Sequence, residues 1–171
     1  MKTKTFEIVL CAIFVAIISV FSQIIIPISV VPISLSSFAV MICGGVLGIK
    51  LGAVTTILYL LIGAVGIPVF SGFQGGVSVL LGPNGGFIFG YIVIAMLSGI
   101  AFGNKDGVLF KTILLFLSTT ACCTLGALWY MFITGAGFVT AILTCILPFL
   151  PGEIVKIAVA YPVIVRIKKQ I

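Results

Sequence analysis

An all-α integral membrane protein, six transmembrane helices in one domain with both termini in the cytoplasm, is the fold class this sequence predicts. Composition is the first of three observations behind it. Of 171 residues, 62% are hydrophobic and 7% charged, with mean hydropathy +1.47, whereas soluble domains carry roughly a quarter charged residues. Length is the second: at about 20 apolar residues per crossing, six crossings take roughly 120 residues and leave about 50 for short connections. That leaves no room within residues 1–171 for a separate soluble unit, so any ATP-hydrolysing machinery is expected on partner chains. The third is the placement of the basic residues, which follows from the elements taken in order.

The first helix is predicted from about Ile8 to Ile26, behind Lys2 and Lys4. A basic start before an apolar run also opens a signal peptide. No A-x-A cleavage site follows, however, and the remaining chain is as apolar, so a retained helix is expected. Pro27 and Pro32 break it, since proline lacks the N–H a helix interior needs. A second helix is expected from about Leu35 to Ile49, ending at Lys50, and a third from about Leu51 to Val65, stopped by Gly66 and Pro68. From Gly66 to Gly86 the chain carries Gly72, Gly75, Gly76, Gly82, Gly85, Pro68 and Pro83. Each helical glycine costs about 1 kcal/mol relative to alanine, so this stretch reads as an irregular outer loop. Helix four is expected from about Phe87 to Phe102, followed by the polar turn Asn104 to Gly107, and helix five from about Val108 to Phe132. The apolar run from Phe138 to Leu147 is shorter than the 17 or so residues that span a bilayer, and reads as a short helix on the outer ends of the bundle. Pro148 and Pro151 precede a last helix from about Gly152 to Ile167.

With this order, Lys2, Lys4, Lys50, Lys105, Lys111, Arg166, Lys168 and Lys169 fall on one side of the membrane, leaving only Lys156 elsewhere. Basic residues mark the cytoplasmic side, which places both termini there. The basic pI of about 9.2 therefore reads as membrane orientation rather than nucleic-acid binding. Cys11, Cys43, Cys122, Cys123 and Cys145 form no C-x-x-C pair, and the chain has no histidine. Small apolar fillers are the expected role of the cysteines, no metal site is expected, and Ser/His hydrolysis is disfavoured.

Glu153 and Lys156 are the charges left over once the cytoplasmic boundary has taken the others, Glu7 and Asp106 included. Three residues apart, they share a helix face. A charge at membrane depth costs about 2.5–3.5 kcal/mol on insertion scales and persists where it pairs or lines a polar cavity. Two readings stand side by side. One is a structural pair, Glu153 favoured by the helix dipole and Lys156 snorkelling outward. The other is a ligand site in which Lys156 meets an anion and Glu153 meets N–H donors. The glycine-rich stretch lies on the same side, where irregular backbone is tolerated only against protein or a water-filled cavity. Gly75 and Gly76 permit close backbone approach to a flat ligand. Phe70 and Phe73 offer apolar walls, or simple loop packing; Gln74 and Asn84 offer donors and acceptors, or, for Asn84, a turn residue. No G-K-[ST] follows, which removes a phosphate-binding loop. Ala12 and Ala16, four apart on the first helix, make a flat stripe on which another helix can pack, within the bundle or from a partner.

The run Gly63-Ala-Val-Gly-Ile-Pro-Val-Phe-Ser-Gly-Phe-Gln-Gly-Gly76, then Leu80-Leu-Gly-Pro-Asn-Gly-Gly-Phe87, resembles the signature of the BioY family, the biotin-binding S components of energy-coupling factor (ECF) transporters. The ending Leu147-Pro-Phe-Leu-Pro-Gly-Glu-Ile-Val-Lys156 is similar to the family's L-P-F-x-P-G-D-x-x-K element, and Val31-Pro-Ile-Ser34 adds to the match. Glu153 stands where the family usually has aspartate, Ser34-Leu-Ser36 replaces a commoner T-x-Q, and Asn84 replaces a frequent threonine. The resemblance implies a transport subunit of a prokaryotic plasma membrane that holds biotin at its outer face, with no cofactor. It implies work with a transmembrane coupling protein and two ATP-binding cassette ATPases, the subunit toppling in the membrane to deliver the ligand. It also implies that Ala12 and Ala16 dock on the coupling protein. Other classes the residues leave open are an S component for another vitamin, an intramembrane enzyme with Glu153 as acid/base, and a structural subunit without a ligand.

Overall fold

The computed structural model describes residues 4–26, 33–103 and 107–170. Pro27, Pro32, Lys2 and the turn residues Asn104, Lys105 and Asp106 lie outside them. Helices dominate: α1 Lys4–Ser22, α2 Ser36–Ala64, α3 Val77–Leu81, α4 Gly85–Gly103, α5 Val108–Thr134, α6 Phe138–Cys145 and α7 Phe149–Gln170. A two-residue antiparallel ladder, β1 Ile25–Ile26 with β2 Ile33–Ser34, ties the end of α1 to the start of α2.

Among the described residues, five apolar segments are long enough to cross a bilayer: α1, α2, α4, α5, and α6 with α7 taken together. Their outward faces are apolar, with Leu109, Val65 and Phe132 strongly exposed, which suits lipid and not water. The chain is a multi-pass membrane protein.

α2 contains the main departure from expectation. The predicted break between the second and third helices at Lys50 falls instead at Gly48, whose φ of 81° and ψ of 179° are non-helical. This combination is essentially restricted to glycine. The two halves fold back on each other: a Cβ added to Gly52 would lie 2.8 Å from the Cα of Gly44, whereas eight residues of straight helix span about 12 Å. α4 presses against this hairpin through small residues. A Cβ on Gly44 would lie 2.2 Å from the Ala95 carbonyl oxygen, and one on Gly99 would lie 2.5 Å from the Ile49 nitrogen. α4 is accordingly the central element, with 67% of its apolar window buried against 22% for α1 and α5.

Other boundaries move by a few residues. The irregular stretch after Gly66 contains the short helix α3, α5 runs on to Thr134, and the last helix begins at Phe149 rather than Gly152. Pro151 fits its first turn, where no backbone donor is needed. Pro162 lies inside α7. All five cysteines are unpaired and buried, as fillers would be.

Candidate functional site

A cavity of about 670 Å³, counting its open mouth, lies where the start of α2, the α2–α3 connection, α4, α5 and α7 converge. Glu153 and Lys156 both line it, and both are buried, at 5% and 6% exposure. They face inward because the α7 stripe that carries them continues through the buried Ile157, Ala160 and Ile164.

Lys156 is fully engaged by the protein. Its Nζ donates to the Ser34 carbonyl at 2.9 Å, to Ser37 Oγ at 2.9 Å and to Glu153 Oε1 at 2.8 Å, which uses all three ammonium donors. Ser37 Oγ in turn donates to Glu153 Oε1 at 3.1 Å. Glu153 Oε2 is left, buried and without a hydrogen-bond partner among the described residues. A buried polar atom without a partner costs about 1–3 kcal/mol, more when charged. Glu153, which lines the cavity, thus keeps one orphaned carboxylate oxygen while a lysine holds the other.

Aromatic rings build the walls. Phe87 stacks on Phe149 with centroids 5.4 Å apart, and Phe70 meets Tyr59 edge-on at 5.6 Å. Phe70 is buried because its ring rests on Gly63, where a Cβ would come within 2.2 Å of it. Tyr59 donates to the Val69 carbonyl at 3.1 Å, and Trp129 of α5 donates to the Gly82 carbonyl at 2.9 Å. These two bonds pin the glycine-rich connection at both ends.

Of the residues the sequence singles out, Phe70, Asn84, Glu153 and Lys156 meet in this cavity. Phe73 does not; it is 72% exposed and has a positive φ of 55°. Gln74 lies with Ser78 and Asn84 in a shallow depression at the rim. Gly75 and Gly76 serve the loop itself. A Cβ on Gly75 would strike the Ile67 carbonyl at 2.5 Å, and the Gly76 N–H donates to the Gly63 carbonyl at 2.7 Å. Ala12 and Ala16 are exposed on α1, away from the cavity, and Ala12 borders an apolar groove between α1 and the second half of α2. Sequence reasoning misses Ser37, Tyr59, Tyr91, Thr119 and Cys122, which also line the cavity. For Ser37 and Thr119 the signal was a hydroxyl inside an otherwise apolar helix, but such hydroxyls bond back within their own helix often enough to be read as structural, while Tyr59, Tyr91 and Cys122 read as core packing.

Comparison with known proteins agrees with this fold. The profile of the BioY family matches residues 1–171. A probable biotin transporter BioY of Pyrococcus horikoshii is 38% identical over 168 residues, covering 98% of both chains. The biotin transporter BioY of Thermotoga maritima is 32% identical, covering 95% of this chain and 96% of its own. A crystal structure of the S component for biotin from an ECF-type ABC transporter superposes with a TM-score of 0.87 at 26% identity, covering 97% of this chain and 92% of that one.

Proposed function

This chain belongs to the BioY family, and from that premise we propose that it captures biotin at the outer side of the membrane and takes it up as the substrate-specific subunit of an ECF-type ABC transporter. It is a transport subunit and not an enzyme, as its named relatives are.

The observation that carries the reading is the orphaned Glu153 Oε2 in an aromatic-walled cavity. Biotin has a ureido ring with two N–H groups, an apolar sulfur ring and an anionic valerate tail. Glu153 Oε2 accepts a ureido N–H, and the aromatic walls cover the sulfur ring. Because its three donors are already taken, Lys156 orients and neutralises Glu153 instead of binding the valerate. The tail then lies toward the rim, where Asn84 and Gln74 supply donors. Phe70 closes the wall, while Phe73, Gly75 and Gly76 contribute through the loop's shape.

Six crossings with both termini in the cytoplasm follow if each half of the α2 hairpin counts as one crossing. The position of Lys4, Lys50, Lys111, Arg166, Lys168 and Lys169 supports this arrangement. The membrane is then the plasma membrane of a prokaryote. The energising partners are a transmembrane coupling protein, docked on the Ala12 and Ala16 face, and two ATP-binding cassette ATPases that hydrolyse ATP.

Calorimetric titration of the purified chain in detergent, without partners, tests the reading. Tight binding of one biotin per chain, uncontested by excess thiamine or riboflavin, is the expected result. No binding, or displacement by another vitamin, would overturn it.

A further inference from the structure

Gln23, just past the end of α1, is a half-buried polar side chain that the ligand site itself does not use. Its amide reaches 47 to 50 positions along the chain to a turn that forms one wall of the cavity. Residues 70–74 close that turn on themselves, with the Phe70 N–H donating to the Gln74 carbonyl at 3.0 Å and the Gln74 N–H returning to the Phe70 carbonyl at 3.3 Å. Gln23 Oε1 accepts the Phe73 N–H at 2.8 Å, and its Nε2, with two N–H donors, faces the Phe70 carbonyl at 3.2 Å, the Val69 carbonyl at 3.3 Å and the Pro68 carbonyl at 3.5 Å across the chain, as well as the Ser22 hydroxyl at 3.1 Å and the Ser19 carbonyl at 3.2 Å beside it. One amide thus satisfies a donor at one end of the turn and acceptors at the other. Among side chains of this length only glutamine presents both an N–H pair and a carbonyl. Ser22, its neighbour, also donates to the Val69 carbonyl.

Phe73 shows what this contact holds. Its left-handed φ of 55° is unusual for a bulky residue and is retained only where surrounding structure over-determines it. The Phe73 side chain is 72% exposed, so packing does not supply that constraint; the two backbone bonds between Phe70 and Gln74 and the bond from the Phe73 N–H to Gln23 do. The same turn carries Phe70, whose ring lines the cavity.

We infer that Gln23 is a positioning residue for ligand retention: its amide clamps the 69–73 turn, and with it the Phe70 wall, over the cavity, so that losing the clamp speeds ligand release. This rests on the biotin-capture reading. Because Gln23 belongs to the end of α1, any movement of that helix against α2 is transmitted to the wall.

The test loads the full chain in lipid nanodiscs with labelled biotin and follows release into excess unlabelled biotin. Gln23→Ala should release the label about tenfold faster or more, with the association rate changed less than about twofold. Gln23→Glu keeps the acceptor for the Phe73 N–H but loses both donors, and should also release faster. Leu117→Ala, on the exposed side of α5, should match the wild type. Amide hydrogen exchange adds the second readout: in Gln23→Ala the amides of residues 70–74 should exchange faster while those of α4 stay protected. Failure of the wild type to bind biotin would remove the functional reading. A wild type that binds, with unchanged release from Gln23→Ala, or with protection lost equally throughout α4, would overturn the clamp alone.

Discussion

At the scale of single residues, Glu153 and Lys156 separate a structural pair from a ligand site. Both are buried and bonded to each other at 2.8 Å. Removing one partner of such a pair strands the other, at a cost of about 3–5 kcal/mol, whereas replacing both with neutral groups is often close to neutral. Lys156→Met should therefore lower the thermal midpoint in detergent strongly, and Glu153→Gln should lower it too. The double variant should recover most of the stability. Biotin binding should not recover with it, because the charged carboxylate acceptor is replaced by a neutral amide with a single, weaker acceptor oxygen, and calorimetry would show at least about a tenfold weaker titration. A double variant that binds biotin as tightly as the wild type would leave the pair a structural one. That these residues matter was legible from sequence, since two charges three apart in an apolar helix face one way. Which of them remains free was not, because it depends on Ser34 and Ser37, more than a hundred positions away.

Among the elements, the α2 hairpin and the glycine-rich connection set the cavity's shape. Gly48→Ala puts a Cβ where φ is 81°, with ample space around it, so its cost is backbone strain alone, about 1–3 kcal/mol. Gly103→Ala, also with nothing within 4 Å but without a positive φ, should change stability by less than about 0.5 kcal/mol. Paired thermal unfolding of the two variants measures the difference. Gly63→Val acts otherwise, displacing the Phe70 ring that would lie 2.2 Å from its Cβ. It should weaken biotin binding through that wall, which titration would detect. The apolar runs and their Pro/Gly interruptions made most helices readable from sequence. The bend was misplaced from Gly48 to Lys50 because a charge marks a membrane boundary, whereas the turn itself needs a glycine's backbone freedom. Phe70 and Phe73 were indistinguishable for a related reason: they sit three residues apart in the same composition, and it takes the fold to bring Phe70 against Gly63 and Tyr59 while the closed turn leaves the Phe73 side chain exposed.

For the molecule as a whole, the candidate ligand cavity and the proposed docking face lie on different surfaces. The cavity draws on α2, α4, α5 and α7, whereas α1 packs chiefly on α2 and leaves its outer face open. That face is apolar, with Ile8, Ile13 and Val20 exposed around Ala12 and Ala16. Two alanines four apart allow a partner helix to approach closely, and in lipid such contact rests on van der Waals packing because no hydrophobic effect separates helix from acyl chain. Substituting Ala12 and Ala16 with leucine should therefore spare biotin binding by the isolated chain, since neither residue reaches the cavity. Co-purification with the coupling protein should fall sharply, and biotin uptake by cells carrying the whole transporter should fall with it. Loss of binding in the isolated chain would mean that α1 supports the cavity directly. Normal co-purification and uptake would move the docking surface to another face of the bundle.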